Sequence, residues 1–289
     1  MDTFVEVSCY SVEKDTARRA IKEAFDEVKR IEKLLSKYDP ESVVSRVNTL
    51  AGTENVKISK EVFALIERAI YYSKISDGAF DITVSPVVDV WRKAREEKAI
   101  PDDKTLSQAL RRVGYEKIAM DRGDLSIRFL DKDTKIDLGG IAKGYAVDRA
   151  REVLSSQGIE NALINIGGNI FALGSPLRKD AWQIGVQHPR DKNDIVLKLG
   201  LKDQTISTSG DYERFFVLDD KRYSHIIDPR TGRPSEGIMS VTVMARSGEA
   251  ADALSTAVFV MGAEKGRALI KSMDGIKVFI LNSKGDLIE

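Results

Sequence analysis

The sequence predicts an α+β fold in which central strands are flanked by helices. Three observations carry that prediction. Helical patterns fall early (residues 13–35 and 60–76) and late (249–272), and short apolar strand patterns cluster between them. No regular strand–helix alternation links them, as a doubly wound parallel sheet would require. A chain of 289 residues can bury a substantial core. With no low-complexity run, repeat or clean boundary, it reads as a single domain over 1–289.

Residues 3–10 alternate in side-chain character as a strand does. Over 13–35, Ala20, Ile21, Ala24, Phe25, Val28, Ile31, Leu34 and Leu35 recur at helical spacing. Tyr38-Asp-Pro-Glu-Ser is a turn, and 60–76 a second helix closed by Asp77-Gly78. The charged, proline-marked stretch 92–103 predicts a surface connection to a third helix at 104–112. Strands at 125–130 and 134–138 precede a helix that Gly158 ends. Further strands are expected at 161–166, 182–187, 195–199, 215–218, 222–227 and 240–245, then helices at 249–261 and 263–272 and a last strand at 276–281.

Composition excludes several classes. Lys plus Arg equal Asp plus Glu at 45 each, so no basic face is advertised to nucleic acid. Cys9 is the single cysteine, which rules out an internal disulfide and a cysteine-based metal cluster and suggests an inert core thiol. No apolar run of about 18 residues predicts a transmembrane helix. No basic-then-apolar leader follows Met1, so the sequence as written predicts a soluble cytoplasmic protein.

The densest chemistry lies in Asp137-Leu-Gly-Gly-Ile-Ala-Lys143, where a glycine pair joins an apolar segment to a helix with a lysine in its first turn. Backbone N–H groups, the helix terminus and Lys143 together suit a phosphate, and a purely structural turn is the other reading. Neither G-x-x-x-x-G-K-S/T nor G-x-G-x-x-G occurs in the chain. Asp252 and Thr256 lie four apart on one helical face behind a plausible N-cap, Ser247. A carboxylate and a hydroxyl there are hard oxygen donors suited to Mg²⁺, or else a surface charge and a hydroxyl bonded one turn back. His225, one of two histidines, precedes the turn Asp228-Pro-Arg-Thr-Gly232 and is a candidate base, although a histidine at a strand end is commonly structural. Ala79, Phe80 and Asp81 could line a pocket for an aromatic ring system, or form a helix C-cap and a half-buried strand. Asn165-Ile-Gly-Gly-Asn169 is another glycine pair after an apolar strand, with Ile206-Ser-Thr-Ser-Gly-Asp-Tyr212 as a polar companion, or both are turns alone.

Taken together and in order, these segments resemble the ApbE family of FAD:protein FMN transferases from Met1 to about Met261. The resemblance implies a mixed single-domain ApbE-like fold. It also implies an enzyme that binds FAD with Mg²⁺, splits the pyrophosphate, transfers FMN to a threonine of an acceptor protein and releases AMP. It places Met1, Tyr38, Ala79, Phe80, Asp81, Asp137, Lys143 and the backbone near Ile227 at FAD, and Asp252, Thr256 and the Gly140 carbonyl at Mg²⁺. His225 takes the position of the base. Two departures stand out: Ser255 where some relatives place an acidic ligand, and Asp2 where the family usually has glycine. Many relatives carry an export leader and a lipid-anchored cysteine upstream, which would make the native protein periplasmic or membrane-anchored. An FAD pyrophosphatase and a non-catalytic flavin-binding protein are the rival readings; Asp252, Thr256 and His225 speak against the second.

Overall fold

The computed structural model describes residues 3–11, 13–191 and 193–289. The main sheet has seven antiparallel strands: β1 (Val5–Tyr10), β2 (Asn161–Ile166), β3 (Asn169–Leu173), β4 (Gln204–Gly210), β5 (Ile238–Ala245), β6 (Lys277–Asn282) and β7 (Leu287–Ile288). Their spatial order is their order along the chain, so the sheet is a meander with enlarged connections. The β1–β2 connection carries α1 (Lys14–Leu35), α2 (Val43–Leu50), α3 (Lys60–Ile75), α4 (Ser85–Glu97), α5 (Asp103–Leu110) and α6 (Ala142–Ser156). A hairpin of Trp182–Gln187 and Ile195–Leu201 leads from β3 to β4. Between β4 and β5 runs a ribbon of Phe215–Leu218 with Lys221–Ser224. Between β5 and β6 come α7 (Gly248–Met261) and α8 (Ala263–Lys271).

Helices α1, α6 and α7 pack on one face of the sheet, where Ile31, Leu154, Ile164, Leu254 and Ile280 share the core. The other face holds a smaller cluster, Ala172, Ile206 and Met244 beneath Ile184 and Leu201 of the hairpin. Helix α7 is buried over nearly its whole length, its Ala, Leu, Val and Phe side chains in the core and its Glu249, Asp252 and Ser255 buried with polar partners. Its start meets α6 backbone to backbone. A Cβ added at Gly144 would lie 2.0 Å from the Gly248 carbonyl oxygen, so only glycine permits this crossing. The Asp148 carboxylate caps α7, accepting from Gly248 N at 2.8 Å, Glu249 N at 3.1 Å and Ser247 Oγ at 3.0 Å. Among the described residues no helix is long and apolar enough to cross a membrane.

The α+β class and most expected elements stand, with several corrections. Residues 134–138 are extended but form no strand: the Asn48 side-chain amide donates to Ile136 O at 2.9 Å and accepts from Ile136 N at 2.7 Å, replacing a neighbouring strand. The alternative of a half-buried strand after Asp81 gives way to a 3-10 turn (Ile82–Val84) and α4, with Pro86 in the first turn and Val87, Trp91 and Ala94 turned inward; α4 also takes in 92–97 of the expected charged connection, and 98–102 remain the connection to α5. Strands β3 and β4 and helix α2 were not foreseen. Gly167 and Gly168 take φ of 55° and 86° in a two-residue hairpin that pairs Ile166 with Asn169, a conformation that selects glycine. Cys9 is half-buried, and burial pushes its thiol pKa up.

Candidate active site

The candidate site lies where the start of α6, the middle of α7 and strand β4 converge. Helix α6 begins without a side-chain cap of its own, because Ile141 occupies the cap position. A residue of α7 supplies what is missing: Asp252, 3 % exposed, accepts from Gly144 N at 3.0 Å through Oδ2. A carboxylate at a helix N-terminus is favoured by the partial positive charge there. Lys143 Nζ lies 3.1 Å from Asp252 Oδ1 and 3.5 Å from Oδ2, and also donates to Gly139 O at 3.4 Å. Lys143 is half-buried, whereas the Asp252 side chain it pairs with is almost fully buried.

Four hydroxyls continue the site along β4 and α7. Ser207 Oγ is 3.4 Å from both Asp252 Oδ1 and Ser255 Oγ; Ser209 Oγ is 2.8 Å from Ser255 Oγ and 3.3 Å from Thr256 Oγ1. Proton counting orients part of this chain. Ser255 spends its hydrogen on the Asp252 carbonyl at 2.9 Å, so Ser209 must donate to Ser255. Ser209 then has no hydrogen left, and Thr256 donates to Ser209. Donating to Ser209, the Thr256 hydroxyl keeps its own lone pairs for another donor or a cation. Ser207 and Ser209 lie two apart on β4 and therefore share a face. That alternation was the signal in Ile206-Ser-Thr-Ser-Gly that sequence reasoning left as a possible turn.

Gly140 adjoins these donors. A Cβ there would sit 3.1 Å from the Phe80 ring and 3.5 Å from Thr256 Oγ1, so glycine serves space rather than a positive φ. Phe80 is buried and meets Tyr72 edge-on at 6.5 Å; Ala79 beside it is buried as well. Asp81 is spent internally: Oδ1 accepts from Thr83 N at 2.8 Å and Thr83 Oγ1 at 2.7 Å, and Oδ2 from Tyr115 N at 2.8 Å. Burial nevertheless raises its pKa above the usual carboxylate value.

Asp137 closes the turn before α6, accepting from Gly139 N at 2.8 Å and pairing with Lys37 Nζ at 3.0 Å. The Lys37 side chain is 7 % exposed. Burial opposes its charge, but Asp137 and Asp89 outweigh that and hold its pKa above the ordinary lysine value. Tyr38 is exposed, with the Lys37 ammonium 5.3 Å from its ring centroid, on the rim of a cavity of about 240 Å³ lined also by Asn48, Asp89, Arg92 and Lys135. A second cavity of about 230 Å³, lined by Arg190, Asp211, Arg222 and Ser235, contains none of the sequence-predicted residues. Ile227 is buried against Trp91 and Val87. Met1 and Asp2 lie outside the described residues.

His225 follows the ribbon and folds back on its first strand. Its N–H and its Nδ1 both reach the carbonyl oxygen of Arg214, at 3.0 and 2.9 Å. A carbonyl only accepts, so Nδ1 carries the proton and Nε2 keeps a free lone pair. Crowding by neighbouring groups desolvates the ring, and the Lys143 and Arg214 charges disfavour its protonation; together they push its pKa down to about 4. The residue still has an exposed edge, which gives back part of the depression. Hydration follows that exposed edge rather than the crowding, and in either case the imidazole is neutral at pH 7.

The residues fit a magnesium ion that arrives with phosphates. Asp252, Thr256 and the Gly140 carbonyl are all hard oxygen donors, and Mg²⁺ commonly takes one or two carboxylates with phosphate and water completing the shell. Among the described residues no three His, Cys, Asp or Glu side chains gather as metal ligands.

The ApbE family model matches residues 1–280. An FAD:protein FMN transferase of Klebsiella pneumoniae (strain 342) is 34 % identical over 290 residues, covering 100 % of this chain and 89 % of that protein. One of Escherichia coli (strain K12) is 30 % identical over 262 residues, 88 % of this chain and 74 % of the relative. The crystal structure of an ApbE protein from Thermotoga maritima MSB8 superposes with a TM-score of 0.92 at 36 % identity, over 99 % of this chain and 93 % of that one. The flavin transferase ApbE from Vibrio cholerae gives a TM-score of 0.86 at 31 % identity, over 100 % and 93 %.

Proposed function

This chain belongs to the ApbE family, and from that premise we propose that it is an Mg²⁺-dependent FAD:protein FMN transferase acting on a threonine of an acceptor protein. One observation carries the reading. Asp252, Thr256 and Lys143 gather at the start of α6, where Asp252 accepts from Gly144 N and Thr256 adjoins Gly140, while His225 presents a neutral ring with Nε2 free. The first group suits a pyrophosphate and the second a hydroxyl that must lose its proton.

The helix terminus and Lys143 receive the phosphate charge. Phosphoryl transfer asks a protein mainly for positioning and charge neutralisation. When bound by Asp252, Thr256 and the Gly140 carbonyl, Mg²⁺ supplies neutralisation of the pyrophosphate and of the departing AMP. The acceptor threonine oxygen attacks the FMN-side phosphorus, the bond from that phosphorus to the bridging oxygen breaks, and AMP leaves with that electron pair. His225 Nε2 takes the threonine proton, a role worth about 10²–10⁴-fold in rate. Buried Phe80 lies beside the Gly140 turn, close enough that only glycine fits there without displacing its ring.

Incubation with FAD, Mg²⁺ and an acceptor, followed by peptide mass analysis, tests the proposal. An FMN adduct on threonine with stoichiometric AMP is expected. Free FMN and AMP without adduct would establish a pyrophosphatase, and unchanged FAD a binding protein.

A further inference from the structure

We propose that Lys143 is an exchangeable counter-ion that keeps the Asp252 site closed to a lone divalent cation, so that Mg²⁺ and the dinucleotide enter together. The inference rests on the FMN-transfer reading above for the identity of its two ligands. A carboxylate 3 % exposed must be compensated. Among the described residues, Lys143 is the cation in ion-pair contact with it, 3.1 Å from Oδ1. The remaining partners of the two oxygens are the Gly144 N–H and the Ser207 hydroxyl, both fixed by α6 and β4. Lys143 is therefore the one partner on a flexible stem.

Without a dinucleotide, Mg²⁺ would have to strip water it holds tightly in order to bind a carboxylate already neutralised, beside an ammonium. A pyrophosphate at the start of α6 changes both terms. It offers Lys143 a second anion within reach of its stem, and it offers the cation further oxygens. Lys143 then passes from Asp252 to phosphate as Mg²⁺ takes its place. Each ligand strengthens the other by the same factor, because coupling between two binding equilibria is reciprocal.

Calorimetric titration of Mg²⁺ into the wild-type protein, with and without FAD and with no acceptor present, measures that factor. The expected result is affinity at least about tenfold tighter with FAD, inside the usual range for coupled sites. The discriminating variants are Lys143→Met and Lys143→Gln. Each should bind Mg²⁺ alone about tenfold more tightly than wild type does alone, whereas Lys143→Arg should stay near wild type. Adding Asp252→Asn should abolish the gain. If a folded Lys143→Met or Lys143→Gln protein, checked by its melting transition, binds Mg²⁺ no better than wild type, the proposal fails. It fails equally if the gain survives Asp252→Asn. The transfer assay is scored separately: gained affinity with no threonine adduct from wild type keeps the coupling and removes the FMN-transfer reading, while adduct formation without gained affinity does the reverse.

Discussion

Replacing Gly144 by alanine sets two effects of opposite sign against each other. Within a helix the change ordinarily stabilises by about 1 kcal/mol. In this fold the new Cβ would lie 2.0 Å from the Gly248 carbonyl oxygen and 2.7 Å from Asp252 Cβ, against an ordinary contact that begins at 3.4 Å. The nearest atom is backbone, so α6 and α7 must part by more than an ångström. Overpacking of this kind costs about 1–3 kcal/mol. Separation also loosens the 3.0 Å bond from Gly144 N to Asp252 Oδ2, worth about 1 kcal/mol or more because it ends on a charge. The net expectation is a loss of about 2 kcal/mol, which lowers the melting temperature by roughly 3–4 °C in a domain of this size. Asp252 also moves away from Lys143 and Gly140, so the Mg²⁺ concentration giving half-maximal FMN transfer should rise. Scanning calorimetry and an Mg²⁺ titration of transfer read the two effects. A variant that melts at or above the wild-type temperature with unchanged Mg²⁺ dependence would refute the helix-crossing argument.

Other perturbations separate the roles of individual groups. His225→Ala should keep FAD affinity and lose transfer by about 10²–10⁴-fold at saturating FAD; a normal rate would remove His225 from the mechanism. The His225 pKa is lower in the folded chain than its unfolded 6.5, pushed towards about 4 less what its exposed edge gives back, so the unfolded chain takes up this proton first as the pH drops. The contribution of His225 to stability is complete above 6.5 and is lost progressively towards 4. A His225→Gln variant should lack that part of the slope, and parallel melting curves across pH decide it. Ser255→Ala removes the acceptor that orients Ser209 and, through it, Thr256, so it should raise half-saturating Mg²⁺ several-fold while leaving the rate at saturating Mg²⁺ nearly intact. A fall in that rate with unchanged Mg²⁺ dependence would count against the hydroxyl chain. Lys37→Met leaves Asp137 and Asp89 without their shared cation and should cost roughly 2 kcal/mol in urea unfolding, discounted from a fully buried pair because both carboxylates reach solvent.

Much of this arrangement was legible in the sequence because it follows strong periodicities. Helix α1 announces itself through Ala20, Ala24, Val28 and Ile31, and α7 through its cap, Ser247, and a mostly small and apolar run interrupted by Glu249 and Asp252. Helix α4 was hidden because Pro86 resembles a break and Arg92, Lys93, Glu96 and Glu97 a surface loop; they are the outer face of a helix whose inner face is Val87, Trp91 and Ala94. Strand β4 was hidden for a chemical reason. Its inward residues are hydroxyls serving the site, so the apolar alternation that marks a strand is missing. The stretch before α6 deceived in the opposite direction: its pattern is that of a strand, but its partners are the side-chain amide of Asn48 and the isolated carbonyls of Ile82 and Arg112. In the candidate site, Asp252 and Thr256 were readable as a helical pair, whereas the contact of Lys143 with Asp252 spans 109 positions and leaves no local trace. The tautomer of His225 depends on a carbonyl 11 positions away, and no residue type encodes that bond.

Because the strands of the main sheet lie side by side in the order in which a ribosome releases them, assembly never requires the sheet to be parted for a late arrival. Only β1 has a long wait. Its partner β2 follows roughly 150 residues later, on the order of 10 s at ordinary rates of synthesis. During that interval α1, next to emerge, can lie across Val5, Val7 and Cys9 and shelter them, as it does in the finished fold. From β2 onwards each strand finds its template already standing. The last, β7, is two residues long, and it leaves the growing edge too short to recruit a strand from another chain.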